Sequence, residues 1–199
     1  MVKSYSFDGY KSNIDLSDLD EEITNVDKGS PCGEYLRRFW HPFILSKEIK
    51  ELPKLIKLLG EELVVFRDKS GKIGLLNKHC PHRGASLEYG IIADCGLICS
   101  YHGWHFDIDG SLIRAGSEPS KSPIHKRVKQ GAYPTREFEG IVFAYLGPTE
   151  KIPEFPFYDV QNDKSVKKIP FSLSAPCNWL QVYENTQDPI HVIHLHARS

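Results

Sequence analysis

The sequence predicts a mainly β fold, in which an antiparallel β-sandwich is followed by the start of an α+β region. Short apolar runs separated by turn residues occupy residues 35–148 and are typical of antiparallel strands. A proline-rich stretch begins at Gly147-Pro148 and indicates a domain boundary. The segment from Asn178 to Arg198 has few helix breakers and favours a helix. We therefore expect an N-terminal extension over residues 1–34, a β domain over 35–148 and the start of a second domain over 149–199.

The individual elements follow from hydrophobic patterning and turn chemistry. Residues 1 to about 30 are polar and acidic, and Ser17 with Asp20 resembles a helix-capping start, so one short helix is expected there. Asp109-Gly110 predicts the turn of a hairpin. The runs predicted as strands are Glu62–Arg67, Ile73–Leu76, Ile141–Leu146 and Val166–Ser174, with a turn over Asp68–Lys72 between the first two.

The composition is that of an ordinary globular protein, with 40% hydrophobic and 26% charged residues and a net charge of −1. This charge gives no electrostatic reason to expect nucleic acid or an anionic membrane as a partner. No apolar stretch reaches the roughly 18 residues of a membrane span, and Met1–Asp8 lacks the apolar core of a signal peptide. We expect a cytoplasmic protein with no membrane partner, in which Cys32, Cys95 and Cys177 are free thiols.

Two Cys-His dyads are the strongest functional signal in the chain. The first is Cys80 with His82 and the second is Cys99 with His102, and sixteen residues separate His82 from Cys99. Two thiolates and two imidazoles on paired loops suit a [2Fe-2S] centre in which both cysteines bind one iron and both histidines bind the other. A zinc site built from the same four side chains is the alternative, because both metals accept these ligands.

The residues around the dyads favour the iron-sulfur alternative. Gly84 and Gly103 follow the dyads, and we expect their backbone to pass close to bridging sulfides and to offer N–H groups to them. Apolar runs precede both dyads and predict that they lie at the tips of neighbouring hairpins. Common zinc modules use shorter, helix-bearing spacings. The adjacent His79 and His105 are not expected to bind metal, and Trp104 is expected to pack beneath the loop.

These motifs resemble the Rieske domain of ring-hydroxylating, Rieske non-haem iron oxygenases, and the chain is most similar to oxygenase (α) subunits of the phthalate 4,5-dioxygenase type. The segments that carry the resemblance are Cys80–Leu87, Cys99–Asp107, Arg37–Pro42, Leu58–Glu61, Ala132–Glu137 and Ala144–Pro148. Rieske proteins of respiratory complexes add one disulfide-forming cysteine to each loop. Those positions hold Ala85 and Tyr101 here, so no such disulfide is expected. The resemblance implies that Cys80, His82, Cys99 and His102 hold a [2Fe-2S] cluster.

A second group of candidate ligands lies in the C-terminal segment. Non-haem Fe(II) oxygenases bind iron through two histidines and one carboxylate. Helical periodicity favours His191 with His194, whereas the family pattern Asp-x-x-His-x-x-x-x-His implies His191 with His196 and a distorted helix. Histidines that only pack or face solvent are the remaining alternative. The family's third ligand lies far downstream, so the chain is similar to an α subunit truncated early in its catalytic domain, and its Fe(II) site is expected to be weak or empty.

Asp188 has two predicted roles. Followed by Pro189, it suits the N-cap of a helix. The resemblance implies a catalytic role, in which the carboxylate bridges His191 and the His102 of a neighbouring subunit and gives electrons a bonded path.

The resemblance implies an enzyme, a Rieske non-haem iron dioxygenase or monooxygenase. Electrons from an NADH-dependent flavin/iron-sulfur reductase would pass through the cluster to mononuclear Fe(II), for O2-dependent hydroxylation of an aromatic acid-like substrate. Electron transfer across subunits implies a homotrimer. A stand-alone Rieske ferredoxin-like electron carrier and a zinc-stabilised binding module are the alternatives.

Overall fold

The structure, a computed structural model, describes residues 20–116, 118–161, 163 and 165–197. Within these residues the strands are β1 (Trp40–Leu45), β2 (Lys54–Leu58), β3 (Glu61–Arg67), β4 (Ile73–Asn77), β5 (Ile91–Ile92), β6 (Leu97–Ile98), β7 (Trp104–Phe106), β8 (Leu112–Ala115), β9 (Thr135–Phe138) and β10 (Ile141–Tyr145). The helices are α1 (Glu21–Thr24), α2 (Pro31–Leu36), α3 (Ile124–Arg127), α4 (Trp179–Gln187) and α5 (Pro189–His191), the last continuing as a π-helix over Val192–His196.

All strand pairs in the described residues are antiparallel, and they form three sheets. Their strand orders are β1-β10-β9, β2-β3-β4 and β5-β6-β7-β8. The predicted β3–β4 and β7–β8 hairpins are present, the second with a bulge next to His105. The predicted mainly β, antiparallel fold is therefore confirmed.

The core lies on both faces of the β3–β4 hairpin. Val64 and Phe66 point to one apolar cluster, which also contains the side chains of Cys80 and Cys99. Leu63 and Val65, which alternate with them along β3, point to a second cluster formed with β1 and β10. Each fully buried side chain of this kind stabilises the fold by about 1.5–3 kcal/mol. Because both faces of β3 are covered, this strand is an apolar run rather than an alternating one, as the sequence pattern indicated.

A buried ionic network ties the N-terminal segment to the sheets. The Arg37 side chain is 3% exposed and its Nη2 pairs with Glu61 Oε1 at 2.9 Å. The same Nη2 donates to the carbonyl of Leu59 at 2.7 Å, and Nη1 donates to two carbonyls of the N-terminal segment. The Tyr133 hydroxyl donates to Glu61 Oε2 at 2.7 Å. This network joins elements far apart in sequence, and no local pattern predicted it.

The β3–β4 turn is bonded to the β5–β6 turn through Asp68. This buried carboxylate accepts hydrogen bonds from the Ser70 hydroxyl at 2.7 Å and from the backbone N–H groups of Lys72 at 2.9 Å and Gly96 at 3.2 Å. Burial opposes ionisation of Asp68, but these hydrogen bonds outweigh it and hold its pKa below the usual range. Gly96 has φ +70, and a Cβ there would lie 2.0 Å from the carbonyl oxygen of Phe106. Gly96 therefore has no space for a side chain, because its backbone lies against the end of β7.

The N-terminal and C-terminal helices contact each other. Asp20 caps α1 by accepting the N–H of Glu22 at 3.1 Å, so the predicted short helix is present, whereas Ser17 lies outside the described residues. From the C-terminal segment, Asn178 donates to the carbonyl of Thr24 at 2.8 Å and also caps α4. Residues 179–187 and 189–196 are helical, as predicted. Among the described residues, no helix is both long enough and apolar enough to cross a bilayer.

The prediction of a strand over Val166–Ser174 was wrong. No strand of the described residues pairs with this segment, and it has no regular structure. Its apolar side chains alternate and are exposed, with Ile169 68%, Phe171 77% and Leu173 90% accessible. A strand requires partners for its backbone groups, so alternation alone does not form one.

Candidate metal centres

The two dyads lie on loops with the same backbone hydrogen bonds. In the first loop the N–H of Cys80 donates to the carbonyl of Ala85 at 2.9 Å, and the N–H of Gly84 donates to the carbonyl of Cys80 at 2.9 Å. In the second loop the N–H of Cys99 donates to the carbonyl of Trp104 at 2.7 Å, and the N–H of Gly103 donates to that of Cys99 at 3.0 Å. Both glycines have positive φ, +72 and +69. One loop geometry is thus used twice, and the 4.7 Å between the ring centroids of His82 and His102 confirms the prediction that the two loops are neighbours.

The N–H groups of Gly84 and Gly103 have other partners than predicted. Their N–H groups close the loops by bonding to cysteine carbonyls, so they are not offered to bridging sulfides. The amides that face the Cys80 sulfur belong to His82 and Arg83. A tight loop needs its own hydrogen bonds first, and those use the amide four residues after each cysteine.

The two cysteines form the buried side of the site. Cys80 and Cys99 are each 2% exposed and lie in the same apolar cluster. Burial raises the pKa of the Cys80 thiol to about 11, an effect that the neighbouring Cys99 reinforces and the N–H groups of His82 and Arg83 oppose. Two adjacent buried thiols ionise only with help from a strong positive charge, and metal coordination supplies that charge.

The two histidines form the outer side. The imidazole centroids of His82 and His102 are 4.7 Å apart. Desolvation, with the nearby charges of His102 and Arg83, lowers the pKa of His82 and favours the neutral imidazole that binds metals. A groove of about 350 Å³ opens beside both rings, and Trp104 and Glu118 contribute to its lining.

This arrangement fits a two-metal cluster better than a single zinc ion. In the part of the chain that the structure describes, no three His, Cys, Asp or Glu side chains are grouped about one point. The donors are instead divided into a sulfur pair inside and a nitrogen pair outside. A Rieske [2Fe-2S] centre uses its four ligands in this way.

The neighbouring histidines and cysteines have other contacts. His79 Nδ1 lies 2.9 Å from the carbonyl oxygen of Gly84, and His105 Nε2 lies 2.5 Å from that of Cys95. Both rings therefore support the loops from outside. Cys32, Cys95 and Cys177 are free thiols, as predicted.

A π-helical turn brings two of the C-terminal histidines together. The ring centroids of His191 and His196 are 5.5 Å apart, with an angle of 74° between the rings. A π-helix bonds each residue to the fifth one along, so this pair shares a face that a regular α-helix would not give it. Among the described residues, His191 Nδ1 is one of four buried side-chain atoms without a hydrogen-bond partner, as expected of a metal-binding nitrogen. His194 is exposed.

Asp188 caps the helix that carries these histidines. Its Oδ1 accepts the N–H of Ile190 at 2.8 Å and, more weakly, that of His191 at 3.4 Å. The predicted N-cap is therefore present. The second carboxylate oxygen makes none of these bonds, so capping leaves it available to another donor.

The fold and the paired loops define an iron-sulfur protein of the Rieske type. The chain matches, over residues 39–134, the family model described as Rieske [2Fe-2S] domain. It is also related to oxygenase subunits, as the sequence predicted. It is 48% identical over 196 residues to the tert-butanol monooxygenase / tert-amyl alcohol desaturase oxygenase subunit of Aquincola tertiaricarbonis, a match that covers 96% of this chain and 41% of that protein. It is 40% identical over 178 residues to the phthalate 4,5-dioxygenase oxygenase subunit of Pseudomonas putida, covering 88% and 40%.

A solved structure has the same fold. It is a crystal structure of dicamba monooxygenase bound to 3,6-dichlorosalicylic acid, with a TM-score of 0.71 and 24% identity, covering 81% of this chain and 48% of that one. The chain thus spans less than half the length of these relatives.

Proposed function

We propose that this chain is part of the oxygenase component of a Rieske non-haem iron oxygenase, and that Cys80, His82, Cys99 and His102 are its cluster ligands. The observation that carries the proposal is the division of these donors into a buried sulfur pair and an outer imidazole pair on two matching loops. When bound, a [2Fe-2S] cluster carries one electron at a time, and mononuclear Fe(II) activates O2 beside the substrate.

We propose His191 and His196 as ligands of the mononuclear iron and Asp188 as the catalytic bridge. The shared ring face and the unpartnered Nδ1 of His191 support the ligand roles. The carboxylate oxygen of Asp188 that does not cap the helix supports the bridge, because it could accept a hydrogen bond from the His102 of a neighbouring subunit. That contact is the basis for proposing a homotrimer.

The proposed electron donor is an NADH-dependent flavin/iron-sulfur reductase with an acidic docking surface. Exposed basic residues lie close in sequence to the lining of the groove, namely Arg83, which follows His82, and Lys126 and Arg127 on α3, whose first residue lines the groove. The lining itself contains the acidic Glu118. Three basic residues against this one acidic residue favour a partner of negative charge, although the chain as a whole has a net charge of −1. The free cysteines suit the reducing cytoplasm proposed as the location.

The proposed substrate is an aromatic acid-like compound, as the resemblance to phthalate 4,5-dioxygenase suggests. A relative named for tertiary alcohols is 48% identical, so a small tertiary alcohol is the second candidate. The two candidates are distinguished by measuring oxygen uptake in the presence of NADH and a reductase, first with an aromatic acid and then with a tertiary alcohol.

The proposed domains are 1–34, 35–148 and 149–199. The sheets begin at Trp40 and end at Tyr145, which supports the two boundaries. Limited proteolysis is expected to cut first within the exposed segment 165–177 and to leave the sheets intact. Early cuts between β3 and β8 would contradict this division.

Metal and sulfide analysis tests the cluster assignment. We expect two tightly held irons with equal sulfide per chain, a rhombic EPR signal after reduction, and a weak third iron site. The chain offers matched controls, because each ligand has a neighbour of the same type. His82→Ala should abolish the EPR signal and His79→Ala should not, and Cys99→Ser should do so where Cys95→Ser does not. A chain that contains zinc and no sulfide would contradict both the oxygenase and the electron-carrier function.

A separate measurement distinguishes oxygenase from electron carrier. Iron retained beyond the cluster, lost in His191→Ala but kept in His194→Ala, supports the oxygenase. A cluster that passes electrons to an acceptor without oxygen uptake, and with no iron lost on His191→Ala, supports the carrier.

The docking surface is tested by charge reversal. Lys126→Glu with Arg127→Glu should slow reduction of the cluster by the reductase and weaken its salt dependence. Lys57→Glu, on β2, is the control and should leave the rate unchanged.

A further inference from the structure

We infer that Trp104 is a positioning residue that braces both ligand loops and fixes the orientation of His82. The inference rests on the cluster of the proposed function. The Trp104 indole lies parallel to the His82 imidazole, with centroids 4.6 Å apart and an angle of 3° between the rings. Trp104 is 7% exposed, so the indole is itself held by the core.

Trp104 contacts the two loops by different parts of the residue. Its carbonyl accepts the N–H of Cys99 at 2.7 Å, which closes the second loop. Its ring stacks on His82, which belongs to the first loop. A change of side chain therefore removes the brace on the first loop and leaves the backbone bond of the second.

The two imidazoles are held unequally as a result. His82 lies against a buried ring whose plane fixes rotation about the last side-chain torsion. The rings of His102 and Tyr101 have centroids 3.9 Å apart and an angle of 43° between their planes. Tyr101 is 63% exposed, so the protein holds this ring less firmly than it holds the buried indole. A ligand that is oriented by its surroundings binds metal more firmly and sets the electronic structure of the centre. The indole thus holds one of the two imidazoles in the orientation that binds iron.

Two substitutions of Trp104 in the full chain test this role. Trp104→Leu keeps an apolar side chain and removes the stacked ring, whereas Trp104→Phe keeps a smaller flat ring. The control is Phe106→Leu, because Phe106 is fully buried on the same strand and has its ring 6.3 Å from that of Trp104, with no ring contact to His82. The measurements are the melting temperature, the rate of iron loss to a chelator and the EPR g-values of the reduced cluster.

We expect Trp104→Leu to lose iron about 10-fold faster than Phe106→Leu and to shift the g-values, with similar melting temperatures for the two variants. Trp104→Phe should recover most of the wild-type spectrum. Unchanged g-values in Trp104→Leu, or iron loss equal to that of Phe106→Leu, would overturn the inference. If Trp104→Leu does not fold, Trp104→Met, which also removes the stacked ring, is measured in its place, and the same two outcomes decide. A wild-type chain without iron and sulfide would instead refute the proposed function.

Discussion

Replacing Tyr133 by phenylalanine should destabilise the fold by about 2 kcal/mol. The substitution removes one hydroxyl, which donates to the Glu61 carboxylate at 2.7 Å, and leaves the ring in place. A hydrogen bond to a charged acceptor contributes about 1.5–3 kcal/mol. Glu61 is also paired with Arg37, which still binds the carboxylate after the hydroxyl is lost and limits the loss to the lower part of that range. For a chain of 199 residues, this loss corresponds to a melting temperature lower by about 4–8 °C.

Chemical denaturation at neutral pH is the assay, and Tyr145→Phe is the matched control. The Tyr145 hydroxyl donates to an uncharged acceptor, the carbonyl of Lys151, at 3.0 Å, so its loss should cost about 1 kcal/mol. Glu61→Gln with and without Tyr133→Phe completes a double-mutant cycle. A Tyr133→Phe loss no larger than that of Tyr145→Phe, or a coupling energy near zero with Glu61, would refute the reasoning.

The same hydroxyl predicts a pH dependence. Burial, the hydrogen bond to Glu61 and the charge of that carboxylate all raise the pKa of Tyr133 above its usual value. The neutral phenol is therefore the stabilising form, and its contribution is complete below about pH 10, the unfolded pKa. Above that pH the unfolded chain loses its proton first, so the stability gap between wild type and Tyr133→Phe should narrow.

Three further predictions follow from local geometry. Asp68→Asn should cost about 2 kcal/mol at neutral pH, because the new amide NH2 must face N–H donors. Because the pKa of Asp68 is lowered, the stability that its carboxylate contributes is complete above about pH 4 and is lost as the pH falls further. Chemical denaturation of the wild type and Asp68→Asn at a series of acidic pH values measures this loss. Asp188→Ala should speed hydrogen exchange of the Ile190 amide about five-fold, and Asp188→Asn should not. Gly96→Ala should cost about 3 kcal/mol, because a Cβ would meet a β7 carbonyl.

Each of these has a control. A stability gap for Asp68→Asn that stays constant from pH 7 to about pH 3 would contradict the assigned pKa shift. Equal exchange in the two Asp188 variants would show that its oxygen does not cap the helix. Gly71 has φ +90, and a Cβ there would have no atom within 4 Å, so Gly71→Ala carries only the backbone strain of about 1 kcal/mol. A Gly96→Ala loss of the same size would show that the close approach of Gly96 to the Phe106 carbonyl is unimportant.

The sheets were predictable where strands are hairpin neighbours. Glu62–Arg67 and Ile73–Leu76 are apolar runs joined by a short turn, and sequence-local pairing supplies their hydrogen bonds. Val166–Ser174 has an equally suitable pattern, but its pairing depends on partners that no local pattern reveals. Apolar runs therefore predicted the strands whose partners adjoin them in sequence, and the alternating pattern failed for the segment that pairs with no strand of the described residues.

The sequence predicted the residues that form the candidate cluster site, but not the contacts that hold those residues in place. The spacing of the dyads was enough to predict a cluster site, because few other functions need two cysteines and two histidines on paired loops. The stacking of Trp104 on His82 could not be derived from sequence, since it depends on how two loops approach each other. Periodicity of a regular α-helix would pair His191 with His194, whereas the family pattern pairs it with His196. The structure brings His191 and His196 together because this turn is a π-helix, and the sequence alone does not reveal the type of helix.

The π-helical turn has a consequence for how such a histidine pair is encoded. It is equivalent to an α-helix into which one residue has been inserted. Deleting one residue between His191 and His196 would restore ordinary winding and place the two imidazoles four positions apart, again on one side. Two different sequence spacings thus lead to the same juxtaposition of rings, so this kind of ligand motif is defined by the winding of the helix as much as by the number of residues between its members.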